Sequence, residues 1–273
     1  LSYYRWGFPK GLRIPAGALL LGGLLLYVLG AIQAAPFYLG AIGLGVLLGA
    51  GMRRSWPLEA VIGTSGLFFF GVGAVIVLIA ARSIEGGFFD FLEKDLTETL
   101  TLALRQFSSG TPEDLLMEQT LKDSVPTMVR LLPGAAFSSA LVVSWLNVLV
   151  ALRYCRVRRL PRPLWVSWSE WKAPEHLVWL VVASGFSLLM PWEAAHLVAL
   201  NVLIVLGTVY LFQGLSVFSC YFERWRVPRI IRALLYGLFL FQQFATLGAI
   251  LTGLFDMWFD FRRFFRKPSS DDE

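Results

Sequence analysis

Histidine and cysteine are almost missing from this 273-residue chain, at two of each, and charged side chains supply only 16% of it. The two histidines, His176 and His196, leave little material for a conventional zinc site, and no C-x-x-C pair accompanies them. Cys155 and Cys220 each lie beside a basic loop that the charge pattern places in the cytoplasm, so free thiols are expected rather than a disulfide. Soluble domains carry roughly 25% charged residues, and a chain this poor in charge has too little polar surface to cover itself in water. There is no Walker A sequence, no G-x-G-x-x-G behind a strand and no G-x-S-x-G elbow. The sequence therefore points away from an enzyme and names no cofactor. Nucleic acid is not the expected partner either: the net charge of +5 sits in short clusters beside apolar runs rather than along one basic face. No secretory signal is evident, and the chain opens at Leu1 rather than Met, so a preceding segment is expected.

What the chain does have is hydrophobic residues, at 56%, with a mean hydropathy of +0.64. Several uncharged runs approach the ~20 residues needed to cross a bilayer. Because backbone polar groups in hydrocarbon must be paired within the segment, the expected fold is all-α, a polytopic helical membrane protein with about seven transmembrane helices. The runs are Ile14 to Ala34, Pro36 to Gly51, Leu58 to Ala81, Leu131 to Leu152, His176 to Met190, Ala194 to Phe218 and Ile230 to Leu254. In the second, Gly45 and Gly49 are spaced to let another helix approach closely, although glycine is common in membrane helices on other grounds. The whole of 1–273 reads as one membrane domain carrying an insert.

That insert, residues 82–129, holds nine acidic side chains against four basic ones. Phe89, Leu92, Leu96, Leu100, Ala103 and Phe107 recur at steps of three and four, opposite Asp90, Glu93, Lys94, Thr97, Glu98 and Thr101, which predicts an amphipathic helix. Thr111-Pro-Glu-Asp114 offers an N-cap, a proline at the first helical position and early acids, which predicts a second, short helix. The positive-inside rule puts the N-terminus, Arg53–Arg54, the 153–172 loop and the Arg224 to Arg232 cluster in the cytoplasm and the acidic insert outside. Seven spans then send the C-terminus outside despite Arg262, Arg263, Arg266 and Lys267, which Asp256, Asp260, Asp271, Asp272 and Glu273 balance. Trp165, Trp168, Trp171 and Trp258 read as interfacial anchors. Asp256, Asp260 and Arg263 are spaced to pair with one another on a helix surface, as a terminal anchor with a docking role.

Polar residues inside the spans are the candidates for function. Glu193, His196, Asn201 and Thr208 share an arc of roughly 140° at 100° per residue. Glu193 and His196 make one E-x-x-H pair, but a di-metal bundle needs a second copy and further carboxylates, so a helix-capping Glu193 and an interfacial His196 are expected. Ser138, Ser139, Ser144 and Asn147 lie in the fourth span, and Tyr236, Gln242, Gln243 and Thr246 in the seventh. Such groups either bond helix to helix, at about 0.6 kcal/mol per pair, or line a cavity. As a ligand site the sequence offers Asn147, Asn201, Gln242 and Gln243.

Leu131-Leu-Pro-Gly134, Ser144-Trp-Leu-Asn147, Phe212-Gln-Gly-Leu215 and Gly253-Leu-Phe-Asp-Met-Trp-Phe-Asp-Phe-Arg262 together resemble the YybS-like family of bacterial membrane proteins, whose function is unknown. Tyr3-Tyr-Arg-Trp-Gly7 is similar to the loop after that family's first hydrophobic segment. The family is distantly similar to the S-components of energy-coupling-factor transporters, which capture small molecules and dock on an ATP-driven module. What the resemblance implies is a non-catalytic binding protein of the bacterial inner membrane, meeting membrane lipids, a small-molecule ligand and membrane partner subunits. S-components are shorter, with about six helices, and the acidic insert has no counterpart in them. A scaffolding subunit of a larger membrane complex is the alternative.

Overall fold

A left-handed residue followed by a proline closes three of the helices in this chain. The computed structural model describes residues 2–82, 87–107, 111–160, 163, 165 and 167–263. Among these there are ten α-helices and no strand, in two compact units, Leu1–Pro163 and Leu164–Glu273. The first unit contains α1 (Ser2–Trp6), α2 (Arg13–Val28), α3 (Ala35–Arg53), α4 (Leu58–Ala81), α5 (Phe88–Phe107) and α6 (Pro112–Val157). The second contains α7 (Leu177–Ser187), α8 (Glu193–Arg224), α9 (Arg229–Phe241) and α10 (Gln243–Phe259). Five helices are long and apolar enough to cross a membrane, or six if the bent pair α9–α10 counts as one span. The chain is an all-helical polytopic membrane protein. Its outward faces agree, since Leu20, Leu21, Tyr27, Val28 and Leu29 of α2 and its C-cap are exposed, as lipid contact requires.

In the first unit α4 packs on both α3 and α6. Leu44, Leu48 and Met52 of α3, Val61 and Ile62 of α4, and Leu141, Trp145 and Val148 of α6 are buried. The insert is helical as its periodicity predicts, with α5 lying on α6. Thr111 caps α6 in a full capping box with Asp114. That helix is not short, however. It continues through Pro126 and Pro133 for 46 residues, roughly 70 Å at 1.5 Å per residue and more than twice the hydrocarbon thickness. Each proline forfeits one backbone bond, and the turns on either side outweigh the loss.

Three basic helix ends close in the same way. Ser55, Arg159 and Arg226 take left-handed conformations with φ of 55°, 51° and 49°. The N–H of the next residue returns to the carbonyl five positions back: Trp56 to Gly51 at 3.1 Å, Leu160 to Cys155 at 2.9 Å and Val227 to Phe222 at 3.0 Å. In sequence each closure is followed by a proline, Pro57, Pro161 or Pro228, which stops the helix from resuming.

The second unit departs most from expectation. The run from Ile230 to Leu254 is not one span, because Gln242 is extended (φ −97°, ψ 115°) and turns α10 by 96° from α9. Helix α7 has only 11 residues, about 17 Å, too short to cross by itself. The tightest packing is between α8 and α10, where a Cβ at Gly214 would overlap the Ala249 carbonyl and one at Gly253 the Tyr210 carbonyl. At Gly45, where the spacing with Gly49 would permit a close approach, a Cβ would meet nothing within 4 Å.

Candidate functional site

Two features of the second unit concentrate polar groups, one an open elbow and one a buried knot. At the elbow, the Gln242 side-chain oxygen accepts from the Ala245 N–H at 2.6 Å and caps α10. The Thr246 hydroxyl turns back to the Phe239 carbonyl at 2.7 Å and the Gln242 carbonyl at 3.0 Å. The first of these bonds occupies a carbonyl at the break, where α9 ends, while the Gln242 carbonyl also accepts the helical bond from the Thr246 N–H at 2.9 Å. A shallow, open cleft of about 340 Å³ adjoins the bend, lined by Leu240, Phe241, Gln243, Thr246, Leu247 and Ile250. Five of its six lining residues carry no charge or amide, and Gln243 adds the one amide, a pattern suited to an apolar body with a single polar group.

The knot lies where α8, α10 and the 167–173 segment meet. Asp256 is wholly buried and pairs with Arg262, itself 3% exposed, at 3.1 Å. The buried Gln213 amide donates to Asp256 at 3.2 Å and accepts from the Ala173 N–H at 3.1 Å. Arg262 donates to the Ser169 carbonyl at 3.0 Å, and the Phe261 N–H donates to Asp256 at 3.0 Å. Ser216 bridges the Trp168 and Trp171 carbonyls. Burial lowers the pKa of the Arg262 guanidinium from its ordinary value, and the Asp256 carboxylate opposes that shift. With its partners inside the protein, the knot has the chemistry of a clamp.

Several expectations change here. Asp256 does not lie on a helix surface: it pairs with Arg262 in the interior, while Asp260 pairs with Lys172 at 3.1 Å. Trp168 and Trp171 stack on each other at 5.5 Å, and Trp171 is buried rather than facing headgroups, whereas Trp258 is exposed. Arg266, Lys267, Asp271, Asp272 and Glu273 lie outside the described residues.

Among the four candidate ligand residues, Gln242 and Gln243 meet at the elbow, and only Gln243 lines the cleft. Asn147 belongs to the first unit, is exposed and donates to the Val143 carbonyl of its own helix at 2.8 Å. Asn201, half-buried in α8, donates to the Leu197 carbonyl at 2.8 Å. Glu193 is the first residue of α8 and His196 is half-buried one turn on. Among the described residues no group of three or more His, Cys, Asp or Glu is placed to hold a metal.

The family described as "Predicted membrane protein (DUF2232)" matches residues 2–257. This chain belongs to it. Membership of that family agrees with the YybS-like resemblance, and the motifs quoted for that resemblance supply Gln213, Gly214, Gly253, Asp256 and Arg262, the parts of the α8–α10 contact and its knot. No match is found among curated proteins or solved structures. Sequence reasoning passed over Gln213 and misplaced Asp256. The signal was present in both, since an amide in Leu-Phe-Gln-Gly-Leu and an acid in Leu-Phe-Asp-Met-Trp must be paired if those runs are buried in a membrane protein.

Proposed function

We propose that the chain is a non-enzymatic protein of the bacterial inner membrane that binds a small amphipathic molecule or lipid in the α9–α10 elbow and acts with partner subunits, in the manner of an S-component. The observation that supports this is the cleft itself, in which Gln243 is the amide beside an apolar wall of Leu240, Phe241, Leu247 and Ile250. An acyl or aromatic body would lie on that wall, and a hydroxyl, amide or carboxyl group would bond Gln243. Native mass spectrometry of protein gently extracted from its own membrane tests the reading. A discrete small-molecule adduct is expected, lost in Gln243→Leu and in the cleft-filling Leu247→Trp, and retained in Asn147→Leu. An adduct indifferent to both elbow variants overturns the site.

The second reading, a scaffolding subunit, is supported by Leu102, Leu116 and Met117, apolar residues 56%, 65% and 57% exposed on the otherwise acidic insert. It expects stoichiometric protein partners and no adduct in the same spectrum.

A further inference from the structure

The turn between α8 and α9 joins a cluster of arginines to an apolar helix face, and neither belongs to the elbow or the knot. Arg224, Arg226 and Arg229 are exposed, and among the described residues none of the three makes an ion pair or a side-chain hydrogen bond. Glu223, beside Arg224 in the chain, is exposed too. The fourth arginine differs: Arg232 donates to the Val227 carbonyl at 2.8 Å and the Phe222 carbonyl at 3.0 Å, finishing the end of α8. One arginine is thus structural and three are unengaged.

Two further observations give those three a setting. Ile230, Leu234 and Leu238 fall within about 80° on α9 at 100° per residue, and they are exposed at 78%, 69% and 48%. Trp225, 66% exposed and edge-on to Tyr221 at 5.5 Å, lies within the arginine turn itself, between Arg224 and Arg226 in the chain. An exposed apolar stripe that starts at a turn carrying exposed arginines and an exposed tryptophan joins a surface suited to hydrocarbon to groups suited to the interface and the headgroups. Arg226 also holds a left-handed position, φ 49°, that glycine would occupy without steric conflict, so the turn keeps a side chain there against its backbone preference.

The geometry points to a binding site for the phosphate of an anionic phospholipid at this corner, gripped by Arg224, Arg226 and Arg229, with the lipid's acyl chains along the Ile230–Leu234–Leu238 face. Guanidinium groups suit phosphate oxygens because their fork of donors matches two oxygens at once. The membrane is the source of the phosphate, since the exposed apolar face of α9 meets lipid as that of α2 does and brings the arginines at its start to headgroup depth. This site is separate from the elbow cleft and does not depend on the reading given to that cleft.

The test uses the full chain in detergent micelles, titrated with phosphatidylglycerol or phosphatidylcholine and read by native mass spectrometry. Phosphatidylglycerol is expected to bind in preference, and R224Q/R226Q/R229Q to weaken it roughly a hundredfold, at about fivefold per arginine near an anionic lipid. R226G guards against misfolding, because glycine accepts the turn's conformation: it is expected to melt no lower than wild type and to lose about fivefold in affinity. Equal binding of the two lipids overturns the site, as does wild-type affinity in R226G. Displacement of the lipid by millimolar inorganic phosphate would make the anion a free phosphate and overturn the lipid assignment.

Discussion

Asp256 and Arg262 show how a charged pair in an apolar protein becomes a constraint. Taking two charges out of water costs more than their attraction returns unless further bonds share the load, and here Gln213, the Phe261 N–H and the Ser169 carbonyl do so. Removing one partner leaves the other buried and uncompensated. Asp256→Leu is therefore expected to cost about 3–5 kcal/mol, and the double replacement Asp256→Leu with Arg262→Met to recover most of it. Thermal unfolding of the detergent-solubilised protein measures both; a single variant that melts like wild type would show that the pair is not closed in solution. Gly253 is constrained by space rather than charge. Its added methyl group would meet the Tyr210 carbonyl and the Gly214 nitrogen, backbone atoms that cannot swing aside, whereas a methyl group at Gly207 meets only Ile250 Cδ1 at 3.9 Å. In the same assay Gly253→Ala is expected to lose about 1–3 kcal/mol, and Gly207→Ala to be close to neutral.

At the scale of elements, what the sequence disclosed depended on whether a helix is fixed locally. The start of α6 at Thr111 was legible because the capping box is a four-residue device, and α5 because its apolar positions recur at helical spacing. Where α6 ends its run was not: nothing in Thr-Pro-Glu-Asp says whether the helix lasts three turns or thirteen, and Pro126 looks the same in a helix that bends or continues. The elbow was equally hidden. Residues 230–254 form one apolar run on hydropathy, and the break is spanned by a bond from the Thr246 hydroxyl to the Phe239 carbonyl seven residues back. Gln242 and Gln243 were picked as polar groups in a span; that they mark its fracture is a tertiary fact. If Thr246 holds the elbow, Thr246→Val should raise amide exchange over residues 239–246 while leaving Gly214 and Ala249 protected. Unchanged exchange would mean that the extended Gln242 backbone suffices.

Across the whole molecule, the arrangement of the second unit removes the difficulty of a basic C-terminus outside the membrane. The Ala173 N–H is bonded to Gln213, and Glu193 begins α8, so residues 173–193 run beside about 30 Å of that helix, the thickness of the hydrocarbon layer. The short α7 together with the turns at its two ends can cross where the helix alone falls short. The bent pair α9–α10 can then enter and leave on one side, and one bond bears directly on this. The Tyr221 hydroxyl, near the end of α8, donates to the Phe261 carbonyl, just beyond the end of α10, at 3.1 Å. The two helix ends are at one level, and the positive-inside rule assigns that level, with Arg224, Arg226, Arg229 and Arg232, to the cytoplasm. Arg262 and Arg263 follow Phe261 and share its side. A reporter active only in the cytoplasm is accordingly expected to fluoresce when fused after Glu273, and a reporter active only outside to stay silent there. The opposite pattern would mean that α9 and α10 together form a full crossing, and that the bond between Tyr221 and Phe261 does not exist in the membrane.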